Sequence, residues 1–160
     1  MLAPTEEYDI RSVFTIVKIN NEFERIADCG VNIAEATCSH DGDAPRSGTF
    51  EVMANSVIGM VRDANQALRN RDTGLAQRVL DFDDTIDRFR TEVVRLVQAA
   101  VQDGSMPLEE ALCLLNVNRA LERMADHCTN ISEQLIYLES GKIVRHLSSG
   151  WTEPEEPEKS

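Results

Sequence analysis

Two stretches of the chain repeat one another in a pattern suited to holding a cation. Residues 24–35 read Glu-Arg-Ile-Ala-Asp-Cys-Gly-Val-Asn-Ile-Ala-Glu, and residues 122–133 read Glu-Arg-Met-Ala-Asp-His-Cys-Thr-Asn-Ile-Ser-Glu. Seven of the twelve aligned positions are identical at a constant offset of 98. On a helix, Glu24, Asp28 and Glu35 fall within about 40° of one another, and so do Glu122, Asp126 and Glu133. Like charges one turn apart repel by a few tenths of a kcal/mol. An unfavourable pair written twice points to a use, and carboxylate oxygens are the donors that hard cations take. A third acidic pair, Asp83 and Asp87, shares a face of the stretch 81–87. Packed beside residues 122–133, it would face Glu122 and Asp126 and complete an all-oxygen site for one or more divalent or trivalent metals. The plainer reading is a solvated acidic face whose charges pair with Arg25 and Arg123.

Other chemistry finds little support. No Ser or Cys is spaced with a His and an acid as a nucleophile, and no glycine-rich loop precedes a helix to cradle phosphate, so no enzyme is expected. A carboxylate-bridged metal enzyme of ferritin-like type would need Glu-x-x-His motifs, and the three histidines, His40, His127 and His146, supply none. Surface or capping roles are expected for them. The four cysteines, Cys29, Cys38, Cys113 and Cys128, form no C-x-x-C pair. All but Cys38 fall on apolar sides of predicted helices, which predicts buried, reduced thiols.

Helices must position these residues. Apolar side chains recur every three or four positions almost throughout, aromatics make up only 5%, and no β-branched alternation appears, so the predicted fold class is all-α. Four helices are expected at about 7–40, 49–70, 73–102 and 106–146. The break at 41–48 is Asp-Gly-Asp-Ala-Pro-Arg-Ser-Gly, and Asp72 or Thr73 can cap the third helix. Asp103-Gly104 ends that helix, and Ser105, Pro107, Glu109 and Glu110 suit the positive end of the fourth. Short connections make neighbouring helices antiparallel, a bundle over residues 1–147. The acidic, proline-bearing residues 148–160 are expected to be disordered, with Trp151 free to dock elsewhere. The apolar residues of the first and fourth helices centre well round from the acidic stripes, which therefore border the core.

Charge and hydropathy narrow the function. Sixteen Lys and Arg against 28 Asp and Glu give a net charge of −12, which repels a phosphate backbone, so nucleic acid is not an expected partner. No run of ~18 to 20 apolar residues could span a membrane, and the N-terminal ten residues do not read as a secretory signal, so a cytoplasmic chain is expected.

The stretch 118–133, continuing through Tyr137, Gly141 and Val144-Arg145-His146, resembles the signature helix of the PhoU family. Residues 24–35 resemble the equivalent helix of that family's first repeat, and Asp72, Ala76, Val79, Asp83 and Asp87 resemble its second repeat's middle helix. The resemblance implies two three-helix repeats, of which this chain keeps one complete repeat and the last helix of the other. It implies a regulator linking a phosphate ABC transporter to a membrane sensor kinase, acting by protein–protein contact. It also implies metal ions, iron or zinc before manganese or magnesium, held through Glu24, Asp28, Glu122 and Asp126, with Asp83 and Asp87 from the preceding helix. Asn32, Asn130, Glu35 and Glu133 are additional candidates. Since too few residues precede the first helix to cover it, an uncovered apolar face is expected, and with it a homo-oligomer. A metal-free helical adaptor is the alternative.

Overall fold

The computed structural model describes residues 4–38, 48–141, 143–147 and 150–152. Four helices carry the fold: α1 (Pro4–Cys38), α2 (Gly48–Asn70), α3 (Thr73–Gln102) and α4 (Leu108–Ser140). The all-α reading holds, with helix positions close to those the periodicity predicts.

The connections follow from local chemistry. Arg71 takes a left-handed φ of 52°, and Asp72 Oδ1 then accepts from the Leu75 amide at 2.9 Å, so α3 starts with one of its free N–H groups satisfied. This two-residue turn folds α2 and α3 into an antiparallel hairpin. At the far end Gly104, with φ 77°, reverses the chain. α4 follows Pro107, whose extended backbone precedes the first turn without a side-chain cap; Ser105 instead donates its amide to Asp103 Oδ1. Glu109 and Glu110 lie in that first turn, where the helix dipole favours them.

α4 ends earlier than the sequence suggests. Gly141 adopts φ 73° and donates its amide to Tyr137 O at 2.9 Å, a left-handed cap that stops the helix after Ser140 rather than at 146. Beyond it lie two short antiparallel strands, β1 (Arg145–Leu147) and β2 (Gly150–Thr152), with His146 opposite Trp151. This corrects the expectation of helix to 146 and of an unstructured chain from 148. Strands of three residues are too short to leave a periodic signal. Residues 153–160 lie outside the described ones, as does the loop 39–47.

α4 packs against all three other helices, while α1 makes its extensive contact with α4. The core joins Met53, Val57 and Met60 of α2, Val79, Ile86 and Val93 of α3, and Leu121, Ala125 and Ile131 of α4, with Ile19 and Ile26 from α1. Each fully buried aliphatic side chain of this kind contributes about 1.5–3 kcal/mol. A second cluster of Ala67, Leu75, Leu80, Leu135 and Val144 secures the chain after α4 to the α2–α3 turn. Among the described residues no helix is long and apolar enough to cross a membrane.

Candidate functional site

The carboxylates meet where α3 runs antiparallel to α4. Asn118 Nδ2 of α4 donates to the Arg90 carbonyl of α3 at 3.3 Å, and this register brings Asp87 close to Glu122 and Asp126, while Asp83, a turn earlier on α3, lies near Cys128. Glu122 and Asp83 are half-buried, and Asp87 and Asp126 lie at the solvent rim. Burial, with the neighbouring charges of Asp126 and Asp87, raises the Glu122 carboxyl above the usual range despite Arg90. Burial and Asp87 raise Asp126 in the same sense, against His127, Arg90 and Arg123. Desolvation and like charge both disfavour the ionised forms, so this corner of the bundle holds more negative charge than it comfortably keeps.

Part of that charge is met from within the chain. Arg90 Nε lies 3.0 Å from Glu122 Oε1, so the counter-charge to Glu122 is Arg90 of α3 and not the adjacent Arg123. Next to the pair, Asn118 is 2% exposed, and its Oδ1 is buried with no hydrogen-bond partner. One turn before Glu122, it adds a further oxygen acceptor without a donor.

The first-repeat acids behave differently. Glu24, Asp28, Asn32 and Glu35 are all exposed, and Asp28 pairs with Arg25 on its own helix at 3.5 Å. They are not brought into the α3–α4 cluster. Asn130 turns to α1, where its Nδ2 donates to Glu22 Oε2 at 3.1 Å. His127 Nδ1 meets the same oxygen at 2.7 Å with its side chain only 16% exposed. This corrects the surface or capping role expected for His127: Glu22, His127 and Asn130 form a polar clasp between α1 and α4. Glu133, half-buried, lines a separate cleft of about 360 Å³ with Lys18 and Tyr137. Cys29 and Cys128 are free and fully buried, as their apolar positions predict, and Cys113 is free and half-buried. Burial pushes the Cys128 thiol up to about 12.

The donors Glu122, Asp126, Asp83 and Asp87, with Asn118 Oδ1, fit a hard cation by type. As the side chains stand, Arg90 holds Glu122, and among the described residues no three His, Cys, Asp or Glu side chains are gathered as a ligand group.

The sequence profile of the PhoU domain matches residues 1–37 and 50–135, the second stretch running through α2, α3 and most of α4. A Thermotoga maritima protein named phosphate-specific transport system accessory protein PhoU homolog 1 is 34% identical over 147 residues, 88% of this chain and 62% of that protein. A Pseudomonas putida PhoU homolog is 38% identical over 144 residues, 87% of this chain and 56% of its own length. This chain therefore spans about three-fifths of such relatives. The crystal structure of the phosphate transport system regulatory protein PhoU from Streptococcus pneumoniae superposes with a TM-score of 0.80 at 25% identity, covering 86% of this chain and 66% of that one. PhoU from Pseudomonas aeruginosa gives 0.78 at 29% identity, covering 84% and 66%. With the profile matching most of the chain and the same helical arrangement recurring in solved relatives, this chain belongs to the PhoU domain family.

Proposed function

We propose that this chain regulates phosphate transport and phosphate signalling by protein–protein contact, and that it binds metal at the α3–α4 carboxylates. Phosphate control is supported by the relatives, which carry the names of phosphate transport accessory and regulatory proteins. Its partners would be a phosphate ABC transporter and a membrane sensor kinase, met on the cytoplasmic side, with no catalytic step. Metal binding rests on one observation, the crowding of Glu122, Asp126 and Asp87 at a half-buried helix interface. Glu122, Asp126, Asp83 and Asp87 would hold the ion, iron or zinc before manganese or magnesium. A bound cation would add positive charge beyond that of Arg90 and would fix α3 against α4. Glu24 and Asp28 would serve a second site only once another surface covers them. The exposed apolar side chains Val13, Phe14, Ile16 and Val17 of α1 would suit self-association as a homodimer.

A metal-free adaptor is the second reading, favoured by the Arg90–Glu122 contact, which places an internal cation beside the site. Elemental analysis of untagged protein, with iron, zinc and manganese titrations of the parent and of Glu122→Gln/Asp126→Asn, separates the two. Binding lost in the double substitution supports the metal site, and equal binding in both assigns the carboxylates to a solvated face. Phosphate uptake measured with and without the chain tests the regulatory role directly.

A further inference from the structure

The acidic face of α3 ends in a cation. Asp83, Asp87 and Arg90 follow one another at spacings of four and three, within about 60° of one another on the helix. Asn118 fixes where that cation starts. Its Nδ2 donates to the Arg90 carbonyl at 3.3 Å, which sets the Arg90 backbone level with Asn118, one turn before Glu122 on α4. A helical side chain leans back toward the N-terminus of its own helix, and between antiparallel helices that lean carries the guanidinium from the level of Asn118 to that of Glu122. Arg90 Nε accordingly lies 3.0 Å from Glu122 Oε1, and its charge is felt at Asp126 as well. Seat and stem differ in freedom: the Glu122 side chain is 23% exposed and that of Arg90 46%. The guanidinium thus has solvent to swing into while its backbone stays tied. Asn118, almost wholly buried, keeps Oδ1 without a donor, an acceptor that the arginine, so seated, does not serve.

From this we propose that Arg90 is a resident counter-ion of the α3–α4 carboxylates, and that its guanidinium must leave Glu122 before these oxygens take a metal ion. The inference rests on the metal reading above and adds to it what regulates that site. An oxygen already accepting from a guanidinium has that much less to offer a hard cation, and two positive charges at contact distance repel. With the arginine seated, no three His, Cys, Asp or Glu side chains stand gathered as a ligand group among the described residues, so the group assembles only on rearrangement. Proton loss is no route to it, because a guanidinium keeps its charge at any pH the fold survives. Movement of the side chain is the route. An ion pair this open to water is weak, and a multiply charged ion held by several oxygens outweighs it. Arg90 therefore sets a threshold: the interface keeps its internal cation at low free metal and releases it to solvent at high.

Manganese(II) binding to the untagged 160-residue chain, read by electron paramagnetic resonance, tests the assignment, since this ion prefers oxygen donors to thiols. Arg90→Gln should bind it at least about fivefold more tightly than the parent. Arg90→Lys keeps the charge without the planar fork and should fall between the two. Arg88→Gln, at an exposed position off that face, should leave the affinity unchanged, which separates the contact from net charge. Arg88 and Arg90 are both exposed, so helicity should be kept throughout. As a second measurement, the Arg90 Nε–H resonance should be protected from exchange in the metal-free parent and lose that protection on saturation with diamagnetic zinc(II). Binding by Arg90→Gln that is no tighter than the parent's, and is lost in Glu122→Gln/Asp126→Asn, overturns the role of Arg90 and leaves the metal site standing. An Nε–H that stays protected with zinc bound does the same. Failure of both the parent and Arg90→Gln to take manganese or zinc overturns this inference together with the metal reading.

Discussion

The carboxyl of Asp126 is held above its ordinary range by burial and by Asp87, so the native state holds that proton more tightly than the unfolded chain. The sign of the linkage follows: the group's contribution to stability is complete below its unfolded value and is lost as pH rises through its folded one. Asp126→Asn keeps the shape and removes the charge. It should raise the apo-protein's melting temperature at pH 7 by about 1 °C, since the relieved repulsion is a few tenths of a kcal/mol, and flatten its decline between mildly acid and neutral pH. If added metal stabilises the parent, the same substitution should abolish that gain. At Glu122 the largest lowering influence is Arg90, so Arg90→Gln should move the Glu122 carboxyl further up, which a carbon-detected NMR titration reads directly. An unmoved carboxyl would mean the 3.0 Å contact does not persist in solution. The acids themselves were legible from their repeat, whereas Arg90 and the unpartnered Asn118 oxygen were not, because both depend on the register of α3 on α4, which no spacing within one helix encodes.

Among the elements, α1 is held on α4 by an apolar seam and by polar contacts, chief among them the Glu22–His127–Asn130 clasp. His127 and Asn130 both converge on Glu22 Oε2, so His127→Ala leaves a half-buried carboxylate with one donor fewer. A loss of about 1–2 kcal/mol in urea unfolding is expected, and a variant as stable as the parent would show that the clasp forms no net contact. At the other end of α4, a Cβ on Gly141 would meet Arg11 Nη1 at 3.0 Å on a residue whose φ is 73°. Gly141→Ala should therefore cost about 1–2 kcal/mol through left-handed strain, and it also crowds Arg11, whose guanidinium lies 5.4 Å from the centre of the Tyr137 ring. The helices were legible because each keeps its period over twenty residues or more. The polar clasp was hidden for the reason that hides most tertiary pairs: Glu22 and His127 are 105 positions apart, and nothing near either names the other.

At the scale of the whole molecule, α4 is a spine with a two-helix cover on one side and a single helix on the other. That asymmetry predicts an order of opening. Among the described residues of one copy, α1 makes its extensive contact with α4 alone, so it should detach at a lower free energy than α2 and α3 leave α4. The buried cysteines report the two layers separately. Cys29 of α1 is fully buried in the α1–α4 seam, and Cys128 of α4 lies in the main core, where it feels Asp83 of α3. Cys113 is half-buried beneath the end of α1, with its thiol donating to the Ala36 carbonyl at 3.2 Å. With Cys38→Ser removing the remaining thiol, a thiol reagent at mildly alkaline pH should label Cys113 first, Cys29 next and Cys128 last. Burial raises both Cys29 and Cys128, and Cys128, pushed up to about 12, is essentially all thiol under these conditions and unreactive until its surroundings open. Its labelling should therefore track global unfolding measured with denaturant, while Cys29 labels faster through local release of α1. The experiment is done at low protein concentration, because pairing through the α1 face would slow Cys29 and leave Cys128 unchanged. Equal rates for the two thiols would show that α1 and the α2–α4 core open as one cooperative unit, and the layered view of the bundle would then be wrong.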